Sequence, residues 1–206
     1  MLIGCASQPV DSPSTSTTQQ TSQQLDLQAQ HLKDITKVSA FQLNGRIAVQ
    51  MEKQGFSANT HWQHAKTHDL MEVFSPFGSK LAVINSTAQQ VTLTTADQKQ
   101  LTADNVETLT QQALGFKLPL IGLSEWVLGK PSSHGEPPTI NQYNALGQLV
   151  KLSQQGWDID YSDYQLNSHN EFSVHLPGKI FLKSPKLNLK LLVESWQLNP
   201  QSQTAP

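Results

Sequence analysis

The sequence predicts a mainly β fold: an incomplete, open antiparallel β-barrel of about ten or eleven strands, covered by an α-helical lid. Three observations carry this prediction. Apolar residues alternate with period two through many short segments, as they do on strands with one buried face. The turns between those segments are short, which joins neighbouring strands antiparallel. A few stretches switch to helical spacing, and their apolar faces need a surface to cover. A twisted sheet of that size curls rather than staying flat. Helices lodged in its hollow then leave an apolar interior large enough for a ligand.

The elements follow in order. Leu25, Ala29, Leu32, Ile35 and Val38 recur at helical spacing and predict a short amphipathic helix over 25–38. In FQLNGRIAVQM, Phe41, Leu43, Ile47, Val49 and Met51 share one face, with Gln42, Asn44, Arg46 and Gln50 on the other. GFSANTHWQ continues the pattern with Phe56, Ala58 and Trp62 in phase, after a hairpin turn at 52–55. HDLMEVF is a third strand stopped by Pro76, 79–85 a fourth, and VTLTT and KQLTA a fifth and sixth. Asp104 with Glu107 suggests a capping box for a helix whose buried stripe is Val106, Leu109, Ala113 and Leu114, closed by Gly115. In LPLIGLSEWVLGKP, Pro119 breaks the chain, Leu123, Trp126 and Val127 form one helical face, and Gly129 and Pro131 end it. A Pro-rich loop at 132–139 precedes strands at 148–153, 156–162, 179–184 and 186–196. Residues 25–198 thus form one domain, and 199–206 form a polar tail.

With 206 residues, a formal net charge of −2 and only 15% charged residues, the chain has no basic excess to attract nucleic acid. Cys5 is its single cysteine, which excludes an internal disulfide and any metal site built on several thiolates. Leu2-Ile3-Gly4-Cys5 fits the bacterial lipobox, in which cleavage precedes the cysteine and its thiol is acylated; the plainer alternative is an unpaired thiol near a terminus. On the lipobox reading, residues 1–4 end a signal peptide. Four residues are too few for a whole one, so the expected start lies upstream of Met1. ASQPVDSPSTSTTQQTSQQ follows, whose sole large apolar residue is Val10, and residues 5–24 read as an acylated cysteine on a polar tether.

No catalytic residue, metal ligand or cofactor site is nominated. His61 and His64 are three apart, which on a strand points them to opposite faces, and His68 lies across a turn. Asp158 and Asp160 share a face, but it is the one opposite Trp157, Ile159 and Tyr161, so solvent is their expected surrounding. Neither Gly-x-Ser-x-Gly nor a Gly-rich phosphate loop occurs. SPFGS places Phe77 at a turn between two apolar strands. Its ring either folds back onto the domain or protrudes as an apolar tip that touches lipid, and the residues alone leave both open.

The lipobox at 2–5, the polar tether, FQLNGRIAV, the Trp62 strand, the SPFGS turn and LPLIGLSEWVLGKP together resemble the LolB family of outer-membrane lipoprotein receptors, over about residues 31–196. The resemblance implies an incomplete antiparallel barrel covered by helices, with a hydrophobic cavity for the acyl chains of client lipoproteins. It implies a monomeric receptor without cofactor, lipid-anchored through Cys5 and facing the periplasm, which accepts clients from the periplasmic carrier LolA and inserts them into outer-membrane lipid without nucleotide. Phe77 matches an exposed apolar residue between the family's third and fourth strands, where the family's residue is leucine. Ala6 fits an outer-membrane destination, since aspartate after the cysteine marks retention at the inner membrane. The residues expected to wall the cavity are Leu43, Ile47, Val49, Trp62, Leu189 and Leu191 from the strands and Leu109, Leu123 and Trp126 from the lid. Two other readings remain open: an envelope lipoprotein that holds another amphiphile without delivering it, and an esterase whose residues lie far apart in sequence.

Overall fold

The computed structural model describes residues 21–52, 55–114, 120–170 and 172–198. In chain order the elements are α1 (Ser22–Thr36), β1 (Phe41–Met51), β2 (Gly55–Ala65), β3 (His68–Phe74), β4 (Lys80–Thr87), β5 (Val91–Thr95), β6 (Gln100–Ala103), α2 (Val106–Leu114), α3 (Leu120–Trp126), β7 (Ile140–Tyr143), β8 (Leu149–Gln154), β9 (Trp157–His169), β10 (Phe172–Lys183) and β11 (Leu187–Leu198). All eleven strands form one sheet in the order β6-β5-β4-β3-β2-β1-β11-β10-β9-β8-β7. Every pairing is antiparallel. Two meanders, β1–β6 and β7–β11, are therefore joined edge to edge through the β1–β11 pair, and the segment between them carries α2 and α3. The sheet curls without closing: β6 and β7 are its free edges.

The alternation read from the sequence becomes the two faces of this sheet. Leu43, Val49, Trp62, Ile84, Leu93, Leu152, Ile159, Ile180, Leu182, Leu189 and Leu191 are buried on the concave side, and α2 and α3 add Val106, Leu109, Leu123 and Trp126 to the same core. On the convex side, Asp160 lies between Lys151 and Lys183, and Arg46 meets Glu194 at 2.8 Å. Gly45 is fixed by close approach rather than by a turn: a Cβ there would lie 2.4 Å from the Leu192 carbonyl oxygen.

Several details differ from the sequence-based expectation, each for a local reason. Helix α1 starts at Ser22, before Leu25, because Thr21 and Gln24 form the capping box: Thr21 Oγ1 accepts from the Gln24 N–H at 3.3 Å and Gln24 Oε1 from the Thr21 N–H at 3.0 Å. The cap of α2 is Asn105, whose Oδ1 accepts from the Thr108 N–H at 2.8 Å, and not Asp104. Strand β7 was not expected; three of its four residues are exposed at an edge, so they carry no apolar alternation. Strands β9 and β10 extend well past the expected 156–162 and 179–184, pairing out to His169 and Phe172. That outer hairpin is polar on both faces along β9, and Leu166 is 61% exposed. On β10, Val174 and Leu176 are buried, so the hairpin is held by packing as well as by its ladder. The closing Gly115 lies outside the described residues.

Helix α1 packs across β10 and the β7–β8 turn, with the His31 ring edge-on to Tyr164 at 5.9 Å. Gly147 in that turn has φ +74°, and a Cβ there would lie 2.4 Å from the Gln28 amide nitrogen. Gly156 has φ +76° with nothing within 4 Å. Gly156→Ala should therefore cost only the left-handed strain, about 1–3 kcal/mol in urea denaturation. Gly147→Ala should lose more and should speed amide exchange in α1, because it also displaces the helix.

Candidate functional site

Packing of the concave face is uneven. Beneath α3, between β1–β5 and β11, an open-mouthed cavity of about 330 Å³ remains. β1 contributes Leu43, Ile47 and Val49; β2 contributes Phe56, Thr60 and Trp62; β11 contributes Leu189 and Leu191. The far wall is Met71 and Val73 from β3, Leu81, Ala82 and Ile84 from β4, and Leu93 from β5, with Leu123 and Val127 above. Among the described residues, Thr60 is the single polar residue of this lining besides the Trp62 indole, and its hydroxyl donates to the Glu72 carbonyl at 3.3 Å. Such a wall offers no directional contact and favours hydrocarbon over water.

Trp62 is held in the wall by Asp69, whose Oδ1 accepts from the indole N–H at 2.8 Å and lies 2.7 Å from His64 Nδ1. Phe41 packs edge-on against Trp62 at 5.2 Å and Trp196 at 5.3 Å. His61, on the other face, sits 2.6 Å from Asn44 Oδ1. The two histidines thus diverge as their spacing requires. Among the described residues, no group of three His, Cys, Asp or Glu side chains could hold a metal ion.

The helix that roofs the cavity is fixed by polar contacts. The Trp126 indole N–H donates to Gln154 Oε1 at 2.9 Å, and the same oxygen accepts from the Ser132 N–H at 2.8 Å. The Gln154 amide donates to the carbonyls of Ser132 and Glu136, each at 2.9 Å. Glu125 ties α3 to the following loop, accepting from the Ser133 N–H at 2.7 Å and its hydroxyl at 2.9 Å, with Lys130 Nζ at 3.1 Å. Burial alone would raise the Glu125 pKa. The Ser133 amide and the side chains of Ser132, Lys130 and Ser133 outweigh it and hold the carboxyl at about 2.

Phe77 is 97% exposed. The turn that carries it closes through Ser75 N–H to the Ser79 carbonyl at 2.8 Å and Gly78 N–H to the Ser75 carbonyl at 2.9 Å, with Gly78 at φ +87°. The ring does not fold back onto the domain.

Seven of the nine residues expected to wall a cavity do line it: Leu43, Ile47, Val49, Trp62, Leu123, Leu189 and Leu191. Leu109 and Trp126 are fully buried but lie outside the lining. Trp126 instead packs toward Trp157, with ring centroids 6.5 Å apart. The wall from β3, β4 and β5 was missed, although Met71, Val73, Ile84 and Leu93 sit at alternate positions in their strands. Gln154 was missed too. Its signal is a polar residue two positions beyond Leu152, on the inward face of β8. Cys5 lies outside the described residues.

A sequence model of the family Outer membrane lipoprotein LolB matches residues 39–196. The chain belongs to the LolB family. The outer-membrane lipoprotein LolB of Nitrosococcus oceani is 34% identical over 200 residues, covering 96% of this chain and 92% of that protein. The LolB of Cellvibrio japonicus is 32% identical over 197 residues, covering 96% and 91%. Among solved structures, a LolA superfamily protein from Nitrosomonas europaea superposes with a TM-score of 0.52 over 85% of this chain and 93% of that one. At 7% identity, it shares the fold alone. Among the described residues, no helix is long and apolar enough to cross a membrane.

Two substitutions test how the LolB-family lid is held here. Gln154→Leu strands the buried Trp126 and Ser132 donors and should destabilise the domain by about 2–4 kcal/mol in denaturant titration. Glu125 has its folded-state pKa depressed from the ordinary 4.5 to about 2, so its contribution is full above 4.5 and is lost as pH falls through 2. Glu125→Gln should accordingly show a shallower loss of stability than the unaltered chain between pH 5 and 2.

Proposed function

We propose that this chain is an outer-membrane lipoprotein receptor: it accepts acylated lipoproteins from the periplasmic carrier LolA, holds their acyl chains in the apolar cavity and inserts them into outer-membrane lipid. The observation that carries this reading is the cavity, open at its mouth and lined almost wholly by hydrocarbon and aromatic side chains. Each methylene removed from water is worth about 0.8 kcal/mol, so a long acyl chain in water is unfavourable by roughly 10 kcal/mol. A carrier has to replace that water with apolar wall.

The cavity lies at the small end of the roughly 300–1,000 Å³ usual for ligand pockets. It encloses part of a client's acyl load and leaves the rest at the mouth. Loose, non-directional holding of this kind suits a receptor that must release. Transfer then runs downhill through an order of affinities, carrier below receptor and receptor below membrane, and consumes no nucleotide. Phe77 acts as the tip that touches lipid, and acylated Cys5 anchors the domain to the membrane it serves, facing the periplasm. The receptor acts by binding and release rather than catalysis.

The test is transfer of an acylated client from its purified carrier to this protein, then to liposomes, without nucleotide. The client should appear first on the receptor and then in the vesicles. A client that stayed on the carrier would leave the cavity to a free lipid or another amphiphile. Phe77→Glu should retain acyl binding and lose most vesicle insertion; undiminished insertion would remove the tip from the mechanism.

A further inference from the structure

The cavity mouth and the Phe77 turn lie at the same end of the sheet. Phe56, opposite Val49 in the β1–β2 ladder, is the second residue of β2. The turn that carries Phe77 springs from Phe74, which pairs with Asn59 on one side and Lys80 on the other. The first residues of β2 thus run past the end of β3 alongside that turn. At this end the lining becomes exposed: Phe56 is 42% and Leu81 39% accessible, while Leu43, Trp62 and Leu191 deeper in are buried.

Leu81 reaches the mouth through a backbone irregularity. Val73 pairs with Ala82 and Phe74 with Lys80, so Leu81 is an extra residue in β4. Ala82 and Ile84 both line the cavity. Strict alternation from Ala82 would send Lys80 inward and Leu81 outward. Instead Leu81 joins the lining, and Lys80 pairs with Glu72 at 2.6 Å and lies over the Phe74 ring at 5.6 Å. Without the bulge, an ammonium group would face the mouth, and every chain that passed would have to desolvate it or detour around it. The bulge removes a charge from the rim and supplies a leucine in its place.

We propose that Phe56 and Leu81 form the outlet of the cavity. Acyl chains leave between the starts of β2 and β4, cross this lip and follow the β3–β4 turn to Phe77, passing from wall to membrane without crossing water. The inference rests on the acyl-binding reading above and adds the route of release.

The experiment uses the full chain with a fluorescent long-chain fatty acid as binding probe, an acylated client, and vesicles of phosphatidylethanolamine and phosphatidylglycerol. Leu81→Lys and Phe56→Asp alter exposed side chains. Loaded with client beforehand, each should release it to vesicles at least tenfold more slowly than the unaltered chain in a single turnover, while co-sedimenting with vesicles equally. Leu166→Lys, an exposed leucine on the outer β9–β10 hairpin, should deliver at the unaltered rate. Delivery at full rate by the two rim variants, or equal slowing by Leu166→Lys, overturns the outlet while leaving the receptor reading intact. An unaltered chain that bound no probe would overturn the receptor reading and the outlet with it. Should Leu81→Lys misfold, Leu81→Ala reads the same step in milder form. About threefold slower delivery supports the lip, and no slowing rejects it.

Discussion

A curled sheet with an apolar concave face cannot cover itself, and in this chain the cover depends on Gln154. Its side chain uses both ends at once: the oxygen accepts from the Trp126 indole and the Ser132 amide, and the nitrogen donates to two carbonyls. All four contacts seat α3 and its following loop on β8. The other means of seating a helix, a tightly interdigitated apolar face, is restricted here, because Leu123 and Val127 look onto empty volume. A buried, fully satisfied polar residue therefore adds to the packing of Trp126 and Leu128 in fixing a unique lid position. Glu125 repeats the device at lower burial, with the loop hydroxyl, amide and ammonium of Ser133 and Lys130 as its partners.

The cavity makes that arrangement necessary. A sealed void of about 330 Å³, at roughly 24 cal/mol per Å³, would cost about 8 kcal/mol, an upper bound for a void with an open mouth. That is comparable to the entire net stability of an ordinary domain. Compensation comes from the opposite half of the sheet. There Leu149, Leu152, Ile159, Leu176, Ile180 and Leu182 are almost fully buried, and α1 closes over β10 and the β7–β8 turn. One half of the molecule is packed like an ordinary core, and the other is left incomplete.

The same asymmetry decides what could be read from the amino-acid sequence. Wherever a strand buries one face, the alternation is plain, and Leu43, Ile47, Val49, Trp62, Leu189 and Leu191 were legible as an inward set. The α3 segment was legible through Pro119, Gly129 and Pro131, which bracket its apolar face. Period-two reading has no purchase where a strand buries little, and so β7 and the outer part of β9 escaped it; the outer part of β10 was missed although Phe172, Val174 and Leu176 alternate with exposed Ser173 and His175. Nor does helical spacing separate wall from core: Leu109 and Trp126 carry the same pattern as Leu123, yet of the three only Leu123 borders the cavity. That distinction arises from how far the sheet curls and how α3 is seated, which are properties of long-range contacts. Phe77 was ambiguous for a related reason, since a turn residue has no ladder partner to fix its direction.

The bulge at Leu81 shows how a one-residue irregularity can reconcile opposing demands on a short segment. The turn around Phe77 benefits from polar neighbours, because a tip with apolar residues on every side would promote association between copies of the chain. Lys80 supplies such a charge. On the proposed route of release, the cavity beside it requires an uncharged rim. In a regular strand, the position two before Ala82 faces inward, and the lysine would stand in the mouth. With one extra residue in β4, the lysine remains adjacent to the turn but reaches outward to Glu72 and Phe74, and the leucine takes the rim. Solubility of the tip and continuity of the apolar surface are then met by adjacent residues, at the cost of one irregular step in the β3–β4 ladder.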